Sequence, residues 1–371
     1  MPRFFFGNFD FEHRLADPNH APSNALMRFN AELATCWLAA ADDGDLIWTP
    51  FSIDPNFFHE AAQQGLPHVS PVKSLDKIPH DVEFVPWGWS AEVRKLTNRI
   101  GCRTSAPSEN AVLLANSRAT SHQLEQEWNV GLPGERRIET LTQFDEAIES
   151  TQVPDRRWVV KAEFGMSARE RILGRGRATE ADKNWVVRRL KQHQAVFLEP
   201  WVDRVDEVGV QIEIPNEGPP RLIGVSPMLV DERGQYAGSW FAGRESLPLA
   251  QHHLWQDAIS TALRAANHLQ SEGYFGPLGI DSMLYRDVDG SLRIRPLQDI
   301  NARWTMGRLS LGLRRRFTQS PRGVWLHGPT ADSRIRTLFE ESRIISTSPD
   351  QVGDRPCHHL SKICISIACA D

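Results

Sequence analysis

Two apolar runs, residues 276–285 and 291–297, flank the turn-forming Asp287-Val288-Asp289-Gly290. Runs of that length split by Asp/Gly turn chemistry read as the two strands of an antiparallel hairpin. A second alternating pair, residues 207–214 and 221–230, is divided by a turn at 216–220. The later half of the chain therefore needs an antiparallel sheet. The first hundred residues need something else. Short strands at 4–6, 45–48 and 81–85, the last two closed by Pro50 and Pro86, alternate with helical spacing such as 23–40 behind the cap residue Ser23. Strands alternating with helices favour a parallel sheet. The expected class is α/β, with α+β lobes after a small N-terminal α/β unit. A chain of 371 residues accommodates two or three such units.

The middle of the chain reads as helices and strands in turn. Helices are expected at 90–100, 117–127 and 139–150, with a turn at Leu132-Pro133-Gly134. Residues 157–161 form a strand ending on Lys161. A loop of small residues, a returning strand at 171–173, a helix at 180–193 and a strand at 195–198 follow, and the last runs into Glu199-Pro200-Trp201-Val202. A long amphipathic helix is expected over 253–272. The last forty residues give no clear pattern.

Composition narrows the function. Forty per cent of residues are hydrophobic and 24% charged, enough for a buried core. A net charge of −5 lacks the basic footprint of a nucleic-acid binder. No apolar run is long enough to span a membrane. Five cysteines make no disulfide framework, and a cytoplasmic setting is expected. Seven of the 42 basic residues are lysine, and Lys161 stands alone between Lys95 and Lys183. A lone ammonium in an arginine-rich chain marks a place that wants a compact point charge, or else reflects codon bias.

The chemistry concentrates on the hairpin. Asp299 and Asn301 share a strand face, and folding about the 287–290 turn brings Asp281 beside them. Three hard oxygen ligands suit Mg²⁺ together with substrate phosphates. Arg303, on the same face, can neutralise a phosphoryl group. Lys161 would reach a phosphate. Main-chain N–H groups of the following loop, with Gly165 and Ser167 keeping it small, would cradle the terminal phosphates. Residues 199–202 would form an adenine edge, and Asp206 or Glu207 would accept ribose hydroxyls.

In this order and spacing the chain resembles the ATP-grasp superfamily, over roughly residues 100–312. The resemblance rests on Asn116-Ser117-Arg118, Val159-Val160-Lys161 with its loop, Glu199-Pro200-Trp201-Val202, residues 276–281 and Asp299-Ile300-Asn301-Ala302-Arg303. It implies two lobes gripping ATP behind a smaller α/β domain, with units at 1–105, 106–195 and 196–371. It further implies Lys161 and Arg118 on the phosphates, Glu199 and Val202 on adenine, and Asp281, Asp299 and Asn301 on Mg²⁺ or Mn²⁺. Arg118 replaces the usual second lysine, Asp299 the usual glutamate, and the phosphate loop is poor in glycine. The expected activity is ligation of a small-molecule carboxylate to an amine or amino acid through an acyl-phosphate, with Arg303 and Lys161 as catalytic groups. A homodimer is compatible with this reading, and neither nucleic acid nor membrane is an expected partner. The alternatives are a kinase acting on a hydroxyl and a nucleotide-binding protein without catalysis. Arg244, after the segment 239–243 read as a loop, either anchors a substrate carboxylate or makes a surface ion pair. Trp37, Trp185 and Trp255 are expected in helix cores, and Trp87 and Trp89 in an interaction loop. Arg314-Arg315-Arg316 reads as a solvated face, and Cys357, Cys364 and Cys369 as incidental.

Overall fold

The computed structural model describes residues 1–79, 81–102, 104–150, 156–165, 170–192, 195–243, 252–320, 322–328, 331–338 and 341–366. Three main sheets organise them. The N-terminal sheet is parallel, with spatial order Ser70–Val72, Leu46–Trp48, Arg3–Phe6, Glu83–Pro86. Three of its strands were expected. Ser70–Val72 was not, because it is three residues long, contains a proline and lies on the edge. The expected 23–40 helix is an α-helix, Asn24–Leu33, whose cap Ser23 accepts from Leu26 N, followed by a 3₁₀ segment, Ala34–Ala39. Ser90 caps Ala91–Ile100, which Gly101 ends in the left-handed region.

The second sheet is the small lobe. Its antiparallel order is Arg136–Ile138, Val196–Pro200, Arg157–Ala162, Arg171–Arg175. The helices Leu141–Glu149 and Glu180–Lys191, both opened by capping boxes, accompany it. The returning strand runs through Gly174 to Arg175. A Cβ at Gly174 would lie 2.0 Å from the Trp158 ring, so glycine here makes room for that ring and does not end the strand.

The third sheet has eight antiparallel strands: Leu292–Asn301, Gly276–Arg286, Asp203–Ile214, Arg221–Val230, Tyr236–Ala242, Gly323–His327, Ser361–Ser366 and Ser342–Ser346. The hairpin forms as expected, with Asp287 N bonding Ser291 O and Gly290 N bonding Asp287 O, both at 2.9 Å. The segment 239–243 differs from the loop expected for it. Ser239, Trp240, Phe241 and Ala242 lie within a strand, and Trp240 and Phe241 are buried. The last forty residues supply two further strands that widen this sheet, Ser342–Ser346 and Ser361–Ser366, and a separate pair, Gln351–Val352 with Arg355–Pro356.

An aromatic cluster ties the N-terminal unit to the large sheet. Trp37 stacks on Phe5 at 4.7 Å and meets Trp304 edge-on at 5.2 Å. Trp87 packs on Phe9 at 4.8 Å and is buried; Trp304 N donates to Trp87 O at 3.0 Å. Trp87 is thus core and not an exposed interaction loop, while Trp37 and Trp255 are core as expected. Such ring pairs add about 0.5–1.5 kcal/mol each beyond burial. They fix the N-terminal unit beside residue 303.

Among the described residues, Cys36, Cys102, Cys357 and Cys364 are free thiols. The C-terminal segment anchors through its backbone: His358 N and His359 N donate to Glu32 Oε2 at 3.1 and 2.9 Å. Arg314 and Arg315 are exposed in the last turn of Met306–Arg316, where basic side chains suit the helix dipole. No described helix is long and apolar enough to cross a membrane.

Candidate active site

A cavity of about 440 Å³ lies where the three sheets meet. The hairpin builds one wall. Asp281 pairs in register with Asp299, and Gly279 with Asn301, so the three oxygen-bearing side chains converge. Asn301 Nδ2 donates to Asp281 Oδ2 at 3.2 Å. The strand can press this close because Gly279 has no side chain: a Cβ there would meet Thr305 Cγ2 at 2.6 Å. Thr305 in turn caps Met306–Arg316 and donates to Gln211 Oε1 at 2.8 Å.

The electrostatics of this wall favour a cation. Burial, then Asp299 and Glu207, push the Asp281 carboxyl up to about 7. Burial also raises Glu207, although Arg204 at 3.1 Å opposes it. Burial leads both shifts, and Asp281 is raised further by its acidic neighbours, so a cation bound beside it would relieve the repulsion. Asp281, Asp299 and Asn301 offer the hard-oxygen donor set that Mg²⁺ takes.

Cationic groups line the same cavity and reach the hairpin. Arg118 opens the helix Arg118–Trp128, whose cap is Ser117. Its Nε donates to Ala162 O and one terminal nitrogen to Asp299 Oδ2, both at 3.1 Å. The other terminal nitrogen is buried without a hydrogen-bond partner. An orphaned guanidinium N–H on a cavity wall fits an anionic oxygen. Lys161 lines the same cavity from the small lobe and pairs with Glu199 at 2.7 Å. Burial pulls its ammonium below the ordinary lysine range, and Glu199 partly restores it.

Arg303 also lines the cavity. It bonds Glu12 of the N-terminal unit, donates to Asn301 Oδ1 at 2.9 Å, and lies 5.4 Å from the Trp87 ring centre. The N-terminal unit therefore aims this guanidinium, a role no local pattern announces because Glu12 is 291 residues away.

The expected residues divide as follows. Arg118, Lys161, Gly165, Glu207, Asp281, Asp299, Asn301 and Arg303 line the one cavity. Of the two ribose candidates, Glu207 faces it. Asp206 does not line it, and accepts from Glu207 N at 3.0 Å. Glu199 and Val202 do not line it either. Val202 packs on Leu132, Met283 and Tyr285. Glu199 directs its carboxylate inward to Lys161 and Arg295, so a role for this side chain on adenine does not match the geometry. Ser167 and Arg244 lie outside the described residues.

Behind Lys161 is an ion network that sequence reading missed. Arg295 is 2% exposed and holds Glu125 in a two-point contact at 2.5 and 2.9 Å, Glu135 at 3.1 Å and Glu199 at 2.8 Å. Burial works against the Glu199 carboxylate, but Arg295 and Lys161 prevail and hold it well below the usual range. Three carboxylates share two cations here, so one proton has a place to go. Burial pushes Glu125 up to about 8. A carboxyl raised on folding adds stability that is full below its unfolded value of about 4.3 and is lost as pH rises through the folded value. Melting temperature should thus fall between about pH 5 and pH 8 and level off above that, and fall less steeply in Glu125→Gln. Parallel slopes for the two proteins would show that Glu125 does not titrate there.

No protein-family model matches the chain, and a search of curated proteins returned no match. Solved structures do match along most of it. An ADP complex of N5-carboxyaminoimidazole ribonucleotide synthetase aligns with TM-score 0.52 at 16% identity, over 90% of each chain. The N5-carboxyaminoimidazole ribonucleotide synthetase of Thermus thermophilus aligns with TM-score 0.52 at 15% identity, over 99% of this chain and 94% of the other. The biotin carboxylase domain of 2-oxoglutarate carboxylase from Hydrogenobacter thermophilus, bound to MgADP, ADP and bicarbonate, aligns with TM-score 0.53 at 11% identity, over 98% and 86%. Identities this low speak to the fold. With the lysine strand of the small lobe set against the acidic hairpin of the large one, the chain has the fold of the ATP-grasp superfamily.

Proposed function

We propose that the protein is an ATP-dependent ligase that joins a small carboxylate to an amine through an acyl-phosphate. The observation that carries this reading is the meeting of two charge sets in one cavity. Arg118, with one unpartnered nitrogen, and Lys161 line it together with Asp281, Asp299 and Asn301. Such a cleft accommodates a polyphosphate and a divalent ion together, and the structural neighbours crystallised with ADP or MgADP support it.

In this reading Arg118 and Lys161 neutralise the polyphosphate. Asp281, Asp299 and Asn301 would hold Mg²⁺, which supplies charge neutralisation at phosphoryl oxygens. Arg303, aimed by Glu12 and Asn301, stabilises the transferring phosphoryl group. A substrate carboxylate oxygen attacks the γ-phosphorus and ADP leaves. An amine nitrogen then attacks the acyl carbon and phosphate leaves, the nitrogen giving up a proton. The protein's part is positioning and charge stabilisation in a cavity that limits water.

The test begins with calorimetric titration of MgADP, followed by a screen of carboxylate–amine pairs for phosphate release. Lys161→Ala should weaken MgADP binding about tenfold or more, matching the roughly 1.5–3 kcal/mol of a hydrogen bond to a charged group. Lys161→Arg should recover part of it, since a planar fork replaces a point charge. Unchanged affinity in Lys161→Ala would remove that residue from the phosphate site. ATP turnover on a hydroxylated acceptor alone would favour the kinase reading.

A further inference from the structure

Glu12 meets Arg303 with one oxygen only. It lies on the helix Phe11–Ala16, is 6% exposed and lines the cavity. Its Oε1 accepts from Arg303 Nε, while Oε2 is buried without a hydrogen-bond partner. Among the described residues Arg303 is its one ion-pair partner. Arg14 turns instead to Asp10 and Glu92.

The surrounding chain pins this side chain. Trp87 N donates to Asn8 Oδ1 at 3.1 Å, and Asn8 Nδ2 donates to Gly88 O at 2.9 Å. Asp10, ahead of the helix, accepts from Asn30 Nδ2 at 2.8 Å. Gly88 admits the Phe11 ring, which a Cβ there would meet at 2.7 Å. With its backbone fixed and Oε1 engaged, Glu12 has little freedom to turn Oε2 toward another protein donor. An ionised carboxylate accepts through both oxygens. Leaving one buried and unpaired is costly, and a ligand donor that pairs with it removes the cost. An ammonium gains more here than a hydroxyl, because its hydrogen bond is charge-assisted. Phe9 and Trp87 line the same cavity, and ring faces also favour a cation.

The position suits the chemistry. Arg303 touches Glu12 through Nε and Asn301 through a terminal nitrogen, so one guanidinium separates Glu12 from the hairpin. A nitrogen held by Glu12 stands beside the group that faces the transferring phosphoryl, and no ligand has to reach along the cavity.

We propose that Glu12 Oε2 receives the amine substrate, that this amine is an aliphatic one carried as its ammonium at neutral pH, and that Glu12 takes the proton that frees its lone pair. The inference rests on the ligase reading. The ammonium donates to Oε2 and passes it one proton, leaving a neutral amine. The nitrogen attacks the acyl carbon, the acyl C–O bond breaks, and phosphate leaves with a second proton from the nitrogen. Glu12 then returns its proton to water.

Calorimetric titration of the full-length protein uses propylamine and benzylamine, with 1-propanol and benzyl alcohol as their uncharged counterparts. Saturating MgADP gives the acidic hairpin its own cation. At least one amine should bind about tenfold or more tightly than its alcohol, as a hydrogen bond between charged groups requires. Glu12→Gln keeps a carbonyl oxygen for Arg303 Nε but offers the cavity an amide N–H, and should abolish that preference. Glu12→Asp, one methylene shorter with its charge kept, should fall between the two and stands in if the glutamine variant does not fold. Equal binding of amine and alcohol by the wild type, no binding by either amine, or a preference retained in Glu12→Gln would overturn the proposal. The proton-transfer step is read by competition, using the carboxylate and amine from the screen. Hydroxylamine is uncharged at neutral pH and competes with the charged amine for one acyl-phosphate. The ratio of amide to hydroxamate should fall about tenfold or more in Glu12→Gln. An unchanged ratio, with both products falling together, would mean that Glu12 acts only by aiming Arg303, and would also overturn the proposal. Failure of MgADP to bind, or a screen without an active carboxylate, would instead count against the ligase reading. The amines titrated in Mg²⁺ without nucleotide would still decide whether Glu12 holds an ammonium.

Discussion

Asp299→Asn is expected to lose ATP turnover by about a hundredfold or more while the protein stays folded. Asp299 has a side chain one-third accessible and an ion pair to Arg118 at 3.1 Å. Replacing its charge removes a ligand for a divalent ion, whose charge neutralisation is worth several kcal/mol in phosphoryl transfer. The loss to folding should be no more than about 1 kcal/mol, the range of a partly exposed ion pair. Asn301→Ala should behave alike, since among the described residues the Asn301 side chain bonds Asp281 and Arg303 at the same site. Phosphate-release rates set beside urea midpoints separate the two effects. Near wild-type turnover at ordinary Mg²⁺ in either variant would mean that the hairpin is not the metal site.

Arg295→Met should produce the largest stability loss. The guanidinium is buried among Glu125, Glu135 and Glu199, and its removal leaves these three acids buried without it, Lys161 pairing with Glu199 alone. Stripping one partner from a buried ionic group costs about 3–5 kcal/mol, because the remaining charges stay desolvated and unpaired. Urea denaturation would read this directly. MgADP affinity should fall as well, because Glu199 would draw Lys161 more strongly once Arg295 is gone. A loss below about 1 kcal/mol would show that the network is well hydrated and does not position Lys161.

These two sites differ in how far the sequence reveals them. The hairpin is local: a turn with Asp and Gly at the right spacing sets the register, and period-two alternation then brings Asp281, Asp299 and Asn301 together. Lys161 is legible because lysine is scarce and because it closes an apolar strand. Helix starts at Ser23, Ser90, Ser117 and Thr140 follow from side-chain caps that act within three residues. Arg295 carries no such mark. Its partners are 96, 160 and 170 residues away, and nothing in the local alternation shows that this strand position faces a buried acidic pocket. The Glu12–Arg303 pair hides for the same reason, and so does the burial of Trp87 under Phe9 and Trp37. The C-terminal strands that join the large sheet are five or six residues long, and their pairing is decided by a sheet edge already built upstream. Flanking glycines mask the strand character of residues 239–242: Gly238 sits within the strand, between strands 221–230 and 323–327, and Gly243 follows its end.

The central claim is that a carboxylate is activated by phosphoryl transfer in this cavity. The direct test uses a carboxylate from the screen labelled with ¹⁸O in both oxygens, incubated with ATP, Mg²⁺ and the amine. An acyl-phosphate route predicts ADP and phosphate in equal amounts, with one ¹⁸O carried from each carboxylate into the released phosphate. Unlabelled phosphate, or AMP and pyrophosphate as products, would contradict it.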